Sequence, residues 1–189
     1  MISLNKMKKK LFFIVVILFI LGMGLYFNAG PWLKPEYGVT FSATQATSLG
    51  LDWKDVYKES LEDLKLKLIR IPVYWNEVEK TQGQFNFTDL DFQVKEAEKN
   101  NARLILVVGK KVPRWPECFE PDWEKDLSSR EVKDNALLSF IETVVNRFSN
   151  SSAVQMWQVE NELFLPSFGH CEHLDEKMLD REIALVKKL

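Results

Sequence analysis

The stretch whose reading decides the fold is AVQMWQVENE, residues 153–162. Its β-branched and apolar content reads as a strand over 153–160 that ends on polar residues. Side chains alternate along a strand. Gln158, Glu160 and Glu162 therefore share one face, and Trp157 and Val159 the other. If the apolar pair faces covering helices, the carboxylates are directed into the mouth of whatever the strand helps to enclose. A carboxylate there is costly unless it is paired, so a cationic partner is expected nearby.

Three similar runs lie upstream: Tyr37–Ser42 (YGVTFS), Leu66–Tyr74 (LKLIRIPVY) and Arg103–Gly109 (RLILVVG). Helical patterns alternate with them. One covers about Trp53–Leu64 with Asp52 as N-cap, and another runs from Thr88 to Asn101. A third, Ser129–Phe148, follows a loop containing three prolines and opens on a capping box of Ser128 and Glu131. The last holds Met178, Leu179, Ile183 and Val186 and reaches the end of the chain. Four strand–helix repeats predict a parallel sheet with right-handed crossovers. Two architectures fit, the first four βα units of a (β/α)8 barrel and a small doubly wound sheet. Polar residues at the C-terminal ends of several strands favour the barrel. The turn after the first strand, ATQATSLG, lacks the glycine pattern of a dinucleotide site. In the second run Ile69, Ile71 and Val73 form the apolar face. Arg70 falls on the other and is the expected partner of a fourth-strand carboxylate.

Composition divides the 189 residues unevenly. Residues 1–10 hold Lys6, Lys8, Lys9 and Lys10 and no acid. With those four set aside from 25 basic residues, 21 face 27 acids, a formal charge of −6. No basic face remains for nucleic acid. Between the two parts lies Leu11–Phe27, 17 apolar residues without a charge. That run is longer than a typical signal h-region and just reaches the ~17–25 residues needed to span a bilayer. Phe27 and Ala29 do not suit cleavage, although Gly22 and Gly24 would. The reading is a signal anchor with the N-terminus cytoplasmic and everything after residue 30 outside, the alternative being secretion after cleavage. The expected organisation is a basic tip over 1–10, a transmembrane helix over 11–27, a linker over 28–36 and a catalytic portion over 37–189.

Residues 37–189 resemble the first half of a clan A glycoside hydrolase, the (β/α)8 barrels that include β-galactosidases and cellulase-like enzymes. Asn161-Glu162 is similar to that clan's Asn-Glu pair, and QVENE, residues 158–162, to its β-galactosidase form. RIPVYW, residues 70–75, resembles the second-strand segment with its arginine. Glu79, Gly83, Phe85, Phe87 and Asp91 resemble the loop into the second helix.

The resemblance implies hydrolysis of O-glycosidic bonds in an oligo- or polysaccharide by a retaining, two-carboxylate mechanism without a cofactor. Glu162 would be the general acid/base, Asn161 would hold the sugar 2-hydroxyl, and Arg70 would orient the nucleophile. Trp115, Trp75 and Tyr74 are candidate sugar contacts, and Glu160 a further one. In the clan the nucleophile lies on the seventh strand. Glu172, Glu176 and Glu182 fall in the next loop and helix, so a truncated and inactive product is expected. The alternative is an anchored carbohydrate-binding or scaffold module without catalysis.

Two further features bear on the rim. Cys118 follows the third strand and Cys171 the fourth, on neighbouring loops. In an oxidising compartment they form a disulfide, or else remain two buried thiols. The stretch His170, Cys171, Glu172, His173 looks like metal ligands but has no second cluster to complete it, and no metal is assigned.

Overall fold

Apolar positions in this chain switch between a period of two and a period of 3.6, and the backbone follows them. A computed structural model describes residues 4–28, 35–165, 168–169, 171 and 175–189. They belong to two units, Met1–Tyr37 and Gly38–Leu189.

The first unit holds α1, Leu4–Asn28. Within it Lys8–Phe27 has a mean hydropathy of 2.5 over 20 residues. At the helical rise this is about 30 Å, the thickness of a bilayer's hydrocarbon core. Phe12, Phe13, Phe19 and Leu25 stand exposed on it. A helix of this length and composition can cross a membrane, and a signal sequence fits the same description.

The second unit is built on four parallel strands: β1 (Val39–Thr40), β2 (Leu68–Pro72), β3 (Arg103–Val108) and β4 (Val154–Val159). Their spatial order is their chain order, β1-β2-β3-β4. A doubly wound sheet reverses direction at a switch point. Here no reversal occurs, so the doubly wound alternative is set aside and the sheet takes the sequential order of a (β/α)8 barrel. β1 is shorter than expected, pairing only Val39 with Ile69 and Thr40 with Arg70. Gly38 just before it passes so close to β2 that a Cβ would lie 2.6 Å from the Leu68 carbonyl oxygen.

The helices are α2 (Ala43–Ser48), α3 (Trp53–Glu62), α4 (Trp75–Val78), α5 (Thr88–Lys99), α6 (Arg130–Phe148) and α7 (Glu176–Lys188). α2, α4 and a 3-10 turn at Asp122–Asp126 went unread because they are too short to show a period. Asp52 caps α3 as expected, its carboxylate accepting from the Lys54 N–H at 2.9 Å. The cap of α6 falls one residue later than expected. Ser129, not Ser128, has the extended backbone and accepts from the Val132 N–H. Either serine fits the spacing, and the backbone conformation decides.

The core lies between sheet and helices. Ile69, Ile71 and Val73 of the second run and Leu104, Leu106 and Val108 of β3 face it, with Tyr57, Leu61, Val94, Phe140, Ile141 and Val144 from the helices. Trp157 and Val159 of β4 pack on the same core. The opposite face carries Arg70, Ile105 and Met156 in one register row and Pro72, Val107 and Gln158 in the next. Over its C-terminal end the loop after β3 folds Val112 and Phe119 against Tyr74 and Val107.

Candidate active site

The site forms where β4 ends. Glu160 and Glu162 both adopt left-handed backbone conformations, with φ of 59° and 50°. Such values are uncommon for residues other than glycine and cost of order 1–3 kcal/mol each unless the surroundings over-determine them. Their consequence is geometric, because the strand's alternation stops at Val159. Glu160 therefore does not point into the mouth with Gln158. Its carboxylate turns back and accepts the N–H groups of Lys110 at 2.9 Å and Lys111 at 2.7 Å. It is 4% exposed. Glu160, expected to contact substrate, is here the anchor for the end of the strand.

That anchor requires a glycine opposite. Gly109 has φ of 130°, and a Cβ there would lie 2.5 Å from the Glu160 carboxyl group.

Asn161 and Glu162 follow on a turn held from beneath. The Asn161 N–H donates to the Lys111 carbonyl at 2.7 Å. The Lys111 ammonium, fully buried, donates to the Glu162 carbonyl at 2.8 Å and the Leu165 carbonyl at 3.0 Å. A carboxylate oxygen of Glu117 lies 3.8 Å from the same ammonium. Burial raises the Glu117 carboxyl above its usual range, the Lys111 charge opposes this, and the Glu162 charge adds to it. Glu162 itself stands exposed and Asn161 half-buried. Sequence reasoning missed Lys111 and Glu117. The one signal was a second lysine at the end of an apolar strand, where Lys110 would have sufficed for solubility.

Arg70 lies on the mouth-side face, as the alternation predicts, but its expected carboxylate partner does not. Nε donates to the Thr40 hydroxyl at 2.9 Å and Nη1 to the Gln158 carboxamide oxygen at 3.2 Å. Of the fourth-strand carboxylates, Glu160 is turned away from it by the left-handed backbone. Gln158 continues the chain of polar contacts, donating to the Glu160 carbonyl at 2.8 Å and the Asn161 side-chain oxygen at 3.4 Å. Thr40, Arg70, Gln158 and Asn161 thus form one network running from β1 to β4.

The aromatic candidates separate. Trp115 is 62% exposed, and its ring meets Phe168 edge-on at 5.9 Å. Trp75 is 1% exposed, stacked on Phe140 at 5.4 Å, with its indole N–H donating to Glu79 at 2.7 Å. Tyr74 is buried, its hydroxyl bonded to Ser42 at 2.8 Å and to the Pro113 carbonyl at 3.3 Å. Trp75 and Tyr74 are therefore packed in the core in this structure, while Trp115 presents its ring to solvent. Trp75 shares the parity of Ile71 and Val73 and lies with them in the core.

The loop motif into α5 is structural as well. Glu79 accepts the Gly83 N–H at 2.7 Å. Asp91 forms a two-point pair with Arg147 of α6 at 2.6 and 2.9 Å, and that guanidinium lies over Phe87. A hollow of about 430 Å³ lined by Phe41, Trp53, Val73 and Glu77 lies in the helix layer and takes no wall from residues 160–165.

Cys118 and Cys171 form a disulfide, with Cα atoms 5.3 Å apart, which ties the loop after β3 to the loop after β4. Its sulfur is thereby withdrawn from any metal site. His170, Glu172 and His173 lie outside the described residues. Among the described residues no group of three or more metal-ligating side chains converges.

The chain is similar to several known proteins. Residues 72–178 match the family model described as glycosyl hydrolase family 10. A probable mannan endo-1,4-beta-mannosidase A from Aspergillus niger is 32% identical over 87 residues, covering 41% of this chain and 22% of that protein. A GH5_18 protein from Streptomyces cattleya, solved in complex with GlcNAc, superposes with a TM-score of 0.59 at 13% identity. That match covers 82% of this chain and 41% of the other. A GH5_18 variant from Bifidobacterium longum, in complex with Manb1-4GlcNAc, gives a TM-score of 0.56 at 15% identity, covering 81% of this chain and 40% of that one. The chain thus spans about a fifth of the curated relative, 22%. At these identities the structural likeness speaks to the fold, the strand–helix order of a glycosidase barrel.

Proposed function

The chain belongs to glycosyl hydrolase family 10, within the clan A glycosidases, and from that premise we propose that it carries the acid/base half of a retaining glycosidase site. Glu162 protonates the leaving glycosidic oxygen and later activates water, Asn161 holds the sugar 2-hydroxyl, and Arg70 orients the opposing nucleophile. Trp115 offers an exposed ring for a sugar face. The observation carrying this reading is the Asn161-Glu162 turn, held by the buried Lys111 at the C-terminal end of β4 inside the family-matched stretch.

A retaining mechanism needs a second carboxylate across the scissile bond, about 5–5.5 Å from the first. The described carboxyls nearest in the fold, Glu117 and Glu160, are both buried and held by Lys111 and the backbone, so neither fills that role. We assign it to a strand that closes the barrel beyond these four, and residues 37–189 alone are then inert. Residues 11–27 act as the membrane anchor, with the tip at 1–10 cytoplasmic, a linker over 28–36 and the catalytic portion outside.

The test compares aryl glycoside hydrolysis by a closed-barrel form, these four units continued through the remaining four, with its Glu162→Gln variant. Loss of a general acid/base should lower kcat by about 10²–10⁴-fold, with the 189-residue chain showing no turnover. Undiminished activity in the variant would remove Glu162 from the mechanism.

A further inference from the structure

Two carboxyl groups meet inside the molecule between β4 and α7. Glu160, at the end of β4, is 4% exposed, and Glu182, midway along α7, is 2% exposed. Both side chains line one small cavity with Lys110, Asp175 and Met178. Carboxylates are acceptors only, so two that meet in such a space can bond only if one of them holds a proton. Glu160 is already supplied with donors, the Lys110 and Lys111 N–H groups. Glu182 is not, and its Oε2 is buried without a hydrogen-bond partner among the described residues. The proton therefore belongs on Glu182, whose buried oxygen has no donor to satisfy a charge.

The groups facing the pair come from every neighbouring element. Lys110 follows β3, and its ammonium also meets Glu120 at 3.0 Å. Lys111 is engaged with the turn at 162–165. Asp134 of α6 is paired with Arg130 and Arg181, and Asp175 at the start of α7 with Arg130. Asp134 adds negative potential at Glu182, while Lys110 partly offsets it.

We propose that Glu160 and Glu182 share a single proton and through it clasp α7 to the end of β4, fixing the turn that carries Asn161 and Glu162. The clasp rests on the burial of the two carboxyls in one cavity and does not depend on the glycosidase reading. Burial, the largest influence, drives both carboxyls well above the ordinary range; the two N–H donors restrain Glu160, and the Glu160 charge pushes Glu182 higher. The folded protein thus holds the proton to higher pH than the unfolded chain, where glutamate titrates near ~4.3. The stabilisation is full below that value and is lost as pH rises toward about 9, where Glu182 gives up the proton and two buried negative charges face each other.

The experiment follows thermal unfolding of the full chain in detergent micelles from pH 5 to 9, with backbone amide spectra of Asn161 and Glu162. The melting temperature should fall by about 5 °C or more between pH 6 and 9, and the two amides should shift with it. In Glu182→Gln the carboxamide donates at every pH, so the fall should flatten and the amides should stay put. A parent melt that is flat over this range, or a variant with the parent's slope, would overturn the clasp. Should the variant not fold, carboxyl-carbon NMR of the parent still decides. A glutamate titrating above pH 6 supports the shared proton, and all glutamates titrating below about 5.5 refute it.

Discussion

The roles of the carboxylates at the end of β4 are divided by two backbone dihedrals. Glu160 and Glu162 have the same side chain and both left-handed φ values, yet one is sealed against Lys110 and Lys111 and the other is exposed. Gly109 makes the difference possible by leaving room for the Glu160 carboxyl group. Gly109→Ala should cost at least about 2 kcal/mol, because it combines a steric overlap with a disfavoured backbone angle. Chemical denaturation checks this, and a parent-like midpoint would show that Glu160 can be held elsewhere. At this scale the sequence was legible in part. Parity placed Arg70 with Gln158 on the mouth side and could equally have placed Trp75 with Ile71. It could not show Glu160 turning away, because alternation holds only while the backbone stays extended. Trp75 and Trp115 both follow strand ends in the sequence, and packing, with Trp75 stacked on Phe140 of α6, separates the core ring from the exposed one.

Loops, not strands, assemble the site at the level of elements. The loop after β3 contributes Lys111, Glu117 and Trp115, and the loop after β4 contributes Asn161 and Glu162. The Cys118–Cys171 disulfide spans 53 residues and joins the two. Replacing both cysteines by serine should lower stability by about 2–4 kcal/mol, mainly by freeing the unfolded chain. Comparing melts with and without reductant tests it, since an oxidised parent no more stable than the reduced one would deny the bond a structural role. The helices long enough to repeat their apolar period were readable, from α3 to α7. The short α2 and α4 were not, and the cap of α6 slipped by one residue because Ser128 and Ser129 offer the same hydroxyl.

Taken whole, the chain joins a long apolar helix to four parallel βα units in sequential order. On the proposed topology, a reporter fused after residue 30 is exported and lipid extraction retains it in the membrane fraction. A fusion that stays cytoplasmic would reverse the orientation, and a cleaved soluble product would make Leu11–Phe27 a signal peptide. The sequence by itself determined the number of strands, the apolar faces of the second and fourth, the helix long enough to span a bilayer and the Asn161-Glu162 pair. These are written in residue spacing, and spacing maps directly onto extended or helical backbone. Only the tertiary structure decided that Arg70 meets Gln158 and Thr40, that Lys111 lies buried beneath Glu162, and that Glu160 and Glu182 line one cavity. Those contacts join residues 22 to 88 positions apart, and such contacts depend on how loops close and helices pack, which no local pattern encodes.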